Sequence, residues 1–247
     1  MHRFRNIVVL STFLTAVGLT GAANATVVSL NFEGVNALYP SAFAFVDGFY
    51  NGGTSSDGTS GTNYGIAFSS TAQAICLNTP GTTCSNTSRG GLAPGSEFGG
   101  LFFLDPLAVG TFMNIAGGFD TGFSFNYTAI KDPGLVQVWS GLNGTGALLA
   151  SLVLGLTPST CDGVYSAGFC PFVAGGIGFL GTAMSVLFGG VANQIVFDDI
   201  TFGSVTPGPD VPLPPGLPLL ASGLAGLVLA RRIFKRRAGS GSLRVAA

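Results

Sequence analysis

Ten short runs of apolar and β-branched residues recur through the middle of this chain, with turn formers between them. The runs occupy 27–32, 43–46, 64–68, 101–104, 112–115, 123–127, 136–139, 148–154, 184–188 and 194–202. Asn51-Gly52-Gly53, Lys131-Asp132-Pro133-Gly134, Asn143-Gly144 and Gly189-Gly190 punctuate them, all residue types that favour tight turns. Runs this short do not sustain isolated helices, whereas β-branched and aromatic side chains suit a pleated surface. Glu, Lys, Arg and Gln, the usual builders of exposed helix faces, are scarce in the same region. The pattern predicts an all-β fold, a single β-sandwich of jelly-roll type. Within 122–127, alternation places Phe123, Phe125 and Tyr127 on one face, which is expected to be core.

The two ends depart from this pattern. Arg3 and Arg5 precede an apolar stretch over 7–19, and Ala23-Asn24-Ala25 follows as a small-x-small exit. That order of charge, apolar core and small residues is the order of a secretory signal peptide, expected over 1–25 with Thr26 as the first mature residue. At the other end, 211–230 carries no charge and is followed by Arg231, Arg232, Lys235, Arg236 and Arg237. At about 1.5 Å per residue this segment just reaches across a hydrocarbon core of about 30 Å. Pro212, Pro214, Pro215 and Pro218 delay the helix until near Leu217, so the expected membrane helix is thin. The basic cluster is expected to stay on the cytoplasmic side, which leaves the body outside.

A V-P-x-P motif, a Gly/Ala/Leu-rich run and a terminal Arg cluster together resemble the PEP-CTERM sorting signal. The similarity is closest to its VPLP variant, here Val211-Pro212-Leu213-Pro214. It covers 211–237 and implies handling by exosortase, a membrane-embedded transpeptidase-like enzyme, in a bacterium that makes exopolysaccharide. Pro215 stands where a small residue is usual, and 238–247 extends past the basic cluster as a short tail. The expected organisation is therefore a signal peptide at 1–25, an ectodomain at 26–206, a sorting signal at 207–237 and the tail.

The body contains ten acidic side chains against only Arg89 and Lys131, a net charge of −8. Nucleic-acid affinity rests on many basic contacts to phosphate, so that class of partner is excluded. The only histidine, His2, lies in the signal segment. Histidine-based triads, Cys-His pairs and His-ligated zinc are therefore excluded from the mature body. Cys76, Cys84, Cys161 and Cys170 form two close pairs in sequence. In an exported chain an even count favours disulfides, and local pairing of Cys76 with Cys84 and Cys161 with Cys170 asks least of the fold. The spacings do not match a C-x₂-C zinc knuckle.

Asp198 and Asp199 stand side by side among Val196, Phe197 and Ile200. Alternation points one carboxylate inward, where it must be paired, and a hard cation such as calcium would satisfy it. The opening Asn31-Phe32-Glu33-Gly34 and the closing stretch over 197–202 also resemble jelly-roll carbohydrate-binding modules. That resemblance implies adjacent first and last strands and a structural calcium held by Glu33 with Asp198 or Asp199. The Gly/Ser/Thr-rich segment 50–64 reads as a hairpin connection or as a sugar-contacting loop through Asp57 and Asn63. Trp139, Tyr39, Tyr50 and Tyr64 are candidate stacking platforms, although aromatics in β-proteins usually serve the core. A glycosidase pair could be sought among Glu33, Glu97 and the aspartates, but no local motif singles one out.

The functional expectation is a non-enzymatic, exported cell-surface or exopolysaccharide-matrix protein with a structural or adhesive role. The alternative is a non-catalytic carbohydrate-binding module acting on matrix glycans, and a third is a carboxylate-dependent hydrolase. The partners expected are an exosortase-type transpeptidase, the inner membrane and exopolysaccharide.

Overall fold

The computed structural model describes residues 28–36, 43–77, 96, 98–157 and 172–207. The expected signal peptide and membrane helix, Tyr39, Glu97, and Cys84, Cys161 and Cys170 lie outside them. Among the described residues the chain is all-β, with one 3-10 turn at Leu142–Gly144. The strands are β1 (Ser29–Leu30), β2 (Ala44–Phe45), β3 (Ile66–Phe68), β4 (Gln73–Cys76), β5 (Gly99–Phe102) and β6 (Gly110–Phe119). They continue as β7 (Gly122–Ala129), β8 (Gly134–Trp139), β9 (Leu148–Leu154), β10 (Val173–Gly178), β11 (Ala183–Gly189) and β12 (Ile195–Phe202).

Two antiparallel sheets carry the fold. One has the order β10-β7-β12-β5-β4-β2, with β1 also on β12; the other has the order β3-β6-β11-β8-β9. Alternation on β7 turns Phe123 and Phe125 toward the second sheet, as expected from the sequence. Phe188 of β11 meets Phe125 across the interior at 6.2 Å and Phe197 of β12 at 4.9 Å. Val136, Val138, Val186 and Met113 fill the facing side, and all are buried. This is a β-sandwich, with apolar residues of both sheets sharing one core.

The first and last strands do lie together. Ser29 pairs with Thr201 and Leu30 with Ile200. On the same side of β12, Phe197 pairs with Leu101 of β5. β12 thus changes neighbour partway along, from β5 to β1. Opposite, its register with β7 slips between Asp198 and Thr201. This bulge sits where the neighbours change.

β4 ends at Cys76, which is wholly buried and disulfide-bonded. Its partner falls outside the described residues, so the local pairing expected above remains an expectation. A second, smaller apolar cluster of Ile75, Leu77, Phe102, Phe172 and Val196 lies apart from the main core. Val196 stands between the core-facing Ile195 and Phe197, so this cluster covers the outer face of the larger sheet. Both faces of β7 and β12 are therefore buried along their full length.

Candidate functional site

The bulge in β12 decides what the two adjacent acids do. Strict alternation on a strand with one open face would leave one of them in solvent. Instead, Asp198 is 0 % exposed and Asp199 1 %. Both faces of β12 are covered, and the left-handed φ of 49° at Asp199 resets the alternation within the bulge. The expectation of one inward and one outward carboxylate is corrected accordingly.

Each acid is held by named donors. Asp198 Oδ2 accepts from Ser96 Oγ at 2.9 Å, and its Oδ1 accepts from the Asp199 amide at 2.8 Å. Asp199 Oδ2 accepts from Asn126 Nδ2 at 2.8 Å. Asn126 stands opposite Asp198 on β7, and its Oδ1 is buried without a hydrogen-bond partner; so is Ser124 Oγ two residues away. Burial drives the Asp198 carboxyl well above the usual carboxylate range, and the charge of Asp199 pushes it the same way. The two hydrogen bonds pull it back, and the charge of Glu33 adds a further upward push.

Glu33 follows β1 and reaches across the gap between β1 and β5. Its Oε1 accepts from the amides of Phe98 and Gly99 at 2.7 and 2.6 Å. That reach requires close approach of two backbones. A Cβ on Gly99 would lie 2.5 Å from the carbonyl carbon and oxygen of Phe32. Phe32 is left-handed, with φ 57°, unusual for a bulky residue, and its amide donates to the Tyr50 hydroxyl at 2.9 Å. Two strained residues, Phe32 and Asp199, thus flank the carboxylates, a concentration typical of functional positions.

The residues around Glu33 also line an open cleft of about 350 Å³. Its lining includes Asn31, Glu33, Tyr50, Ser60, Thr62 and Tyr64. Tyr64 is 41 % exposed and stacks on Tyr50 at 6.3 Å and 28°. Tyr50 is itself buried, edge-on to Phe32 and Phe49, so it supports the cleft rather than offering a face to solvent. Trp139, Asp57 and Asn63 do not line it. Asn63 instead closes a turn by accepting from the Gly65 amide.

The segment from Tyr50 to Tyr64 is a coil bonded to itself rather than a simple hairpin connection. The Gly53 amide donates to Gly48 O, the Ser55 amide to Thr59 O and the Tyr64 amide to Tyr50 O. Thr59 Oγ1 donates to Val35 O at 2.9 Å, tying the coil to the segment after β1. Its small residues serve close packing: a side chain on Gly61 would run into the Phe49 ring.

The charge of Glu33 is felt at Asp198, and Ser96 and Asn126, which no sequence signal singled out, donate hydrogen bonds to Asp198 and Asp199. Among the described residues no three His, Cys, Asp or Glu side chains converge as a ready metal cage. Among the described residues the buried cluster offers two carboxylates and one orphaned amide oxygen, donors of the kind a hard cation takes, with no cationic side chain on Asp198. Fold and site define an all-β sandwich with a polar surface cleft backed by buried carboxylates. No protein-family model matches the chain, and neither does any curated protein compared with it.

Proposed function

We propose that this chain is an exported bacterial cell-surface or exopolysaccharide-matrix protein whose β-sandwich plays an adhesive, non-catalytic role by binding a saccharide in the Glu33–Tyr64 cleft. The supporting observation is the lining of that cleft. Hydroxyls, an amide and one carboxylate surround a half-exposed tyrosine held in place by a buried one. Sugars are bound by this combination of an aromatic face and convergent polar groups. Among the described residues Glu33 is the only carboxylate in the lining, and two amides already engage its Oε1. Glycoside hydrolysis needs a pair of carboxylates across the scissile bond, so the lining favours binding over turnover.

Export and sorting belong to the same proposal. The signal at 1–25 sends the body outside, and Val211-Pro212-Leu213-Pro214 with the basic cluster presents the chain to an exosortase-type enzyme at the inner membrane. A structural calcium ion is the third part, held by Asp198 with Asp199 or Glu33 and with Asn126 Oδ1 as a neutral ligand. Its chemistry would be charge compensation at the junction of β1, β5 and β12, clamping the two ends of the domain together.

The test of the binding role uses mature exported protein against a glycan array and against exopolysaccharide from the host. Retention that weakens by about 1 kcal/mol or more in Tyr64→Ala, through loss of the stacking face, supports the cleft. Unchanged retention in that variant, or none in the wild-type protein, removes the binding role and leaves a structural one.

A further inference from the structure

Charge at the cleft is of one sign. Among the described residues that line it, Glu33 is the single charged side chain, and the rest are hydroxyl, amide, aromatic and glycine positions. Lys131, between β7 and β8, is the only basic side chain among all the described residues, and it does not line the cleft. The body as a whole carries ten acids against two bases, a net charge of −8. The amides of Phe98 and Gly99 hold Glu33 Oε1 at 2.7 and 2.6 Å. Those donors are neutral, so they fix the carboxylate without adding a counter-charge. The charge of Glu33 is felt as far as Asp198, whose carboxyl it pushes upward.

Hydrogen-bonding capacity then decides which saccharides fit. An ionised carboxylate only accepts, so what it asks of a ligand is a donor. Sugar hydroxyls both donate and accept, as do the hydroxyls of Ser29, Ser60 and Thr62 in the same lining. A uronate or sulfate group only accepts, and it presents Glu33 with a like charge instead of a donor. With no guanidinium or ammonium among the described lining residues, that group would lose its water without gaining a partner. Like-charge juxtaposition of this kind suppresses wrong partners.

Building on the saccharide reading of this cleft, we propose that it selects its glycan by charge, with Glu33 as the discriminating residue. It takes rings that carry only neutral groups and rejects those that bear carboxylate or sulfate. The negative body adds a repulsion of its own, but that acts at long range and salt removes it. Rejection at the cleft is a contact effect. It persists at about 1 M salt, where the screening length is about 3 Å.

The experiment measures retention of mature exported protein on an array of neutral glycans, then on the carboxymethylated form of each glycan that binds. Both are read at low salt and at about 1 M. The acidic form is expected to be retained about tenfold or more weakly at both salt concentrations. Glu33→Gln removes the charge and keeps an oxygen for the two amides, while Thr62→Lys places a cation at an exposed position of the lining. Each is expected to recover about tenfold in retention of the acidic form, and Thr62→Lys carries the test if Glu33→Gln does not fold. Equal retention of neutral and acidic forms overturns the charge rule and leaves the saccharide reading standing. A gap that salt abolishes also overturns it, by assigning the discrimination to the body. So does a gap that neither variant narrows, which assigns it to the bulk of the added group. Retention of no glycan at all overturns the saccharide reading and the charge rule with it.

Discussion

Asp198 is fully buried, accepts two hydrogen bonds and, among the described residues, has no cationic side chain beside it. Its carboxyl binds a proton more tightly in the folded chain than in the unfolded one, because burial and the charges of Asp199 and Glu33 outweigh the two donors. In metal-free protein this contribution to stability is fully present below the ordinary carboxylate range and is lost as pH rises through the raised folded value. Asp198→Asn therefore raises the neutral-pH melting temperature of metal-free protein and flattens its pH dependence, a gain of about 1–3 kcal/mol if the buried charge is uncompensated. Calcium reverses the sign. With the ion bound, wild-type protein is the more stable, chelator lowers its melting temperature, acid mimics chelator, and Asp198→Asn abolishes the difference. Thermal scans of both proteins from acid to neutral pH, with and without calcium, separate these outcomes. Identical wild-type curves with and without calcium remove the ion from the account.

Strands built on sustained apolar or alternating runs were legible in the sequence, and strands without such a run were not. β9 has the bounds its apolar run predicts, and β7, β8 and β12 lie within a residue or two of theirs. β4 was missed because Gln73-Ala74-Ile75-Cys76 is short and lacks a β-branched pair; it is a strand because β5 and β2 flank it. β10 was missed because Val173-Ala174-Gly175-Gly176 reads as turn. The ladder with β7 overrides that local preference, and Gly175 is required because a side chain there would strike the Phe125 ring. The bulge at Asp199 had no local signal, since the left-handed φ belongs to the change of neighbour along β12, a long-range event. The partnership of Glu33 with Asp198 was accessible only through resemblance, for the same reason. At this scale the interior makes a direct prediction. Phe188 touches Phe123, Phe125 and Phe197, so it ties the two sheets together. Phe188→Ala is expected to destabilise by about 3–5 kcal/mol, read as a shift in denaturant midpoint at unchanged slope. A shift under about 1 kcal/mol would mean that the sheets do not share this core.

Charge divides the whole molecule by task. The acids of the body fall mostly before residue 133 and at 198–199, while the stretch between is nearly neutral. The basic side chains concentrate at the two ends, outside the described residues, where export and sorting would use them. A body of net charge −8 with no histidine has no imidazole to titrate near neutral pH. The central claim is that these ends are processing segments and the sandwich between them is the working product. Intact-mass measurement of the mature protein from its native host tests this most directly. The account predicts a chain that begins at Thr26 and lacks Arg231, Arg232, Lys235, Arg236 and Arg237. A mature protein that retains the basic cluster in most molecules would contradict sorting, and one that retains residues 1–25 would contradict export itself.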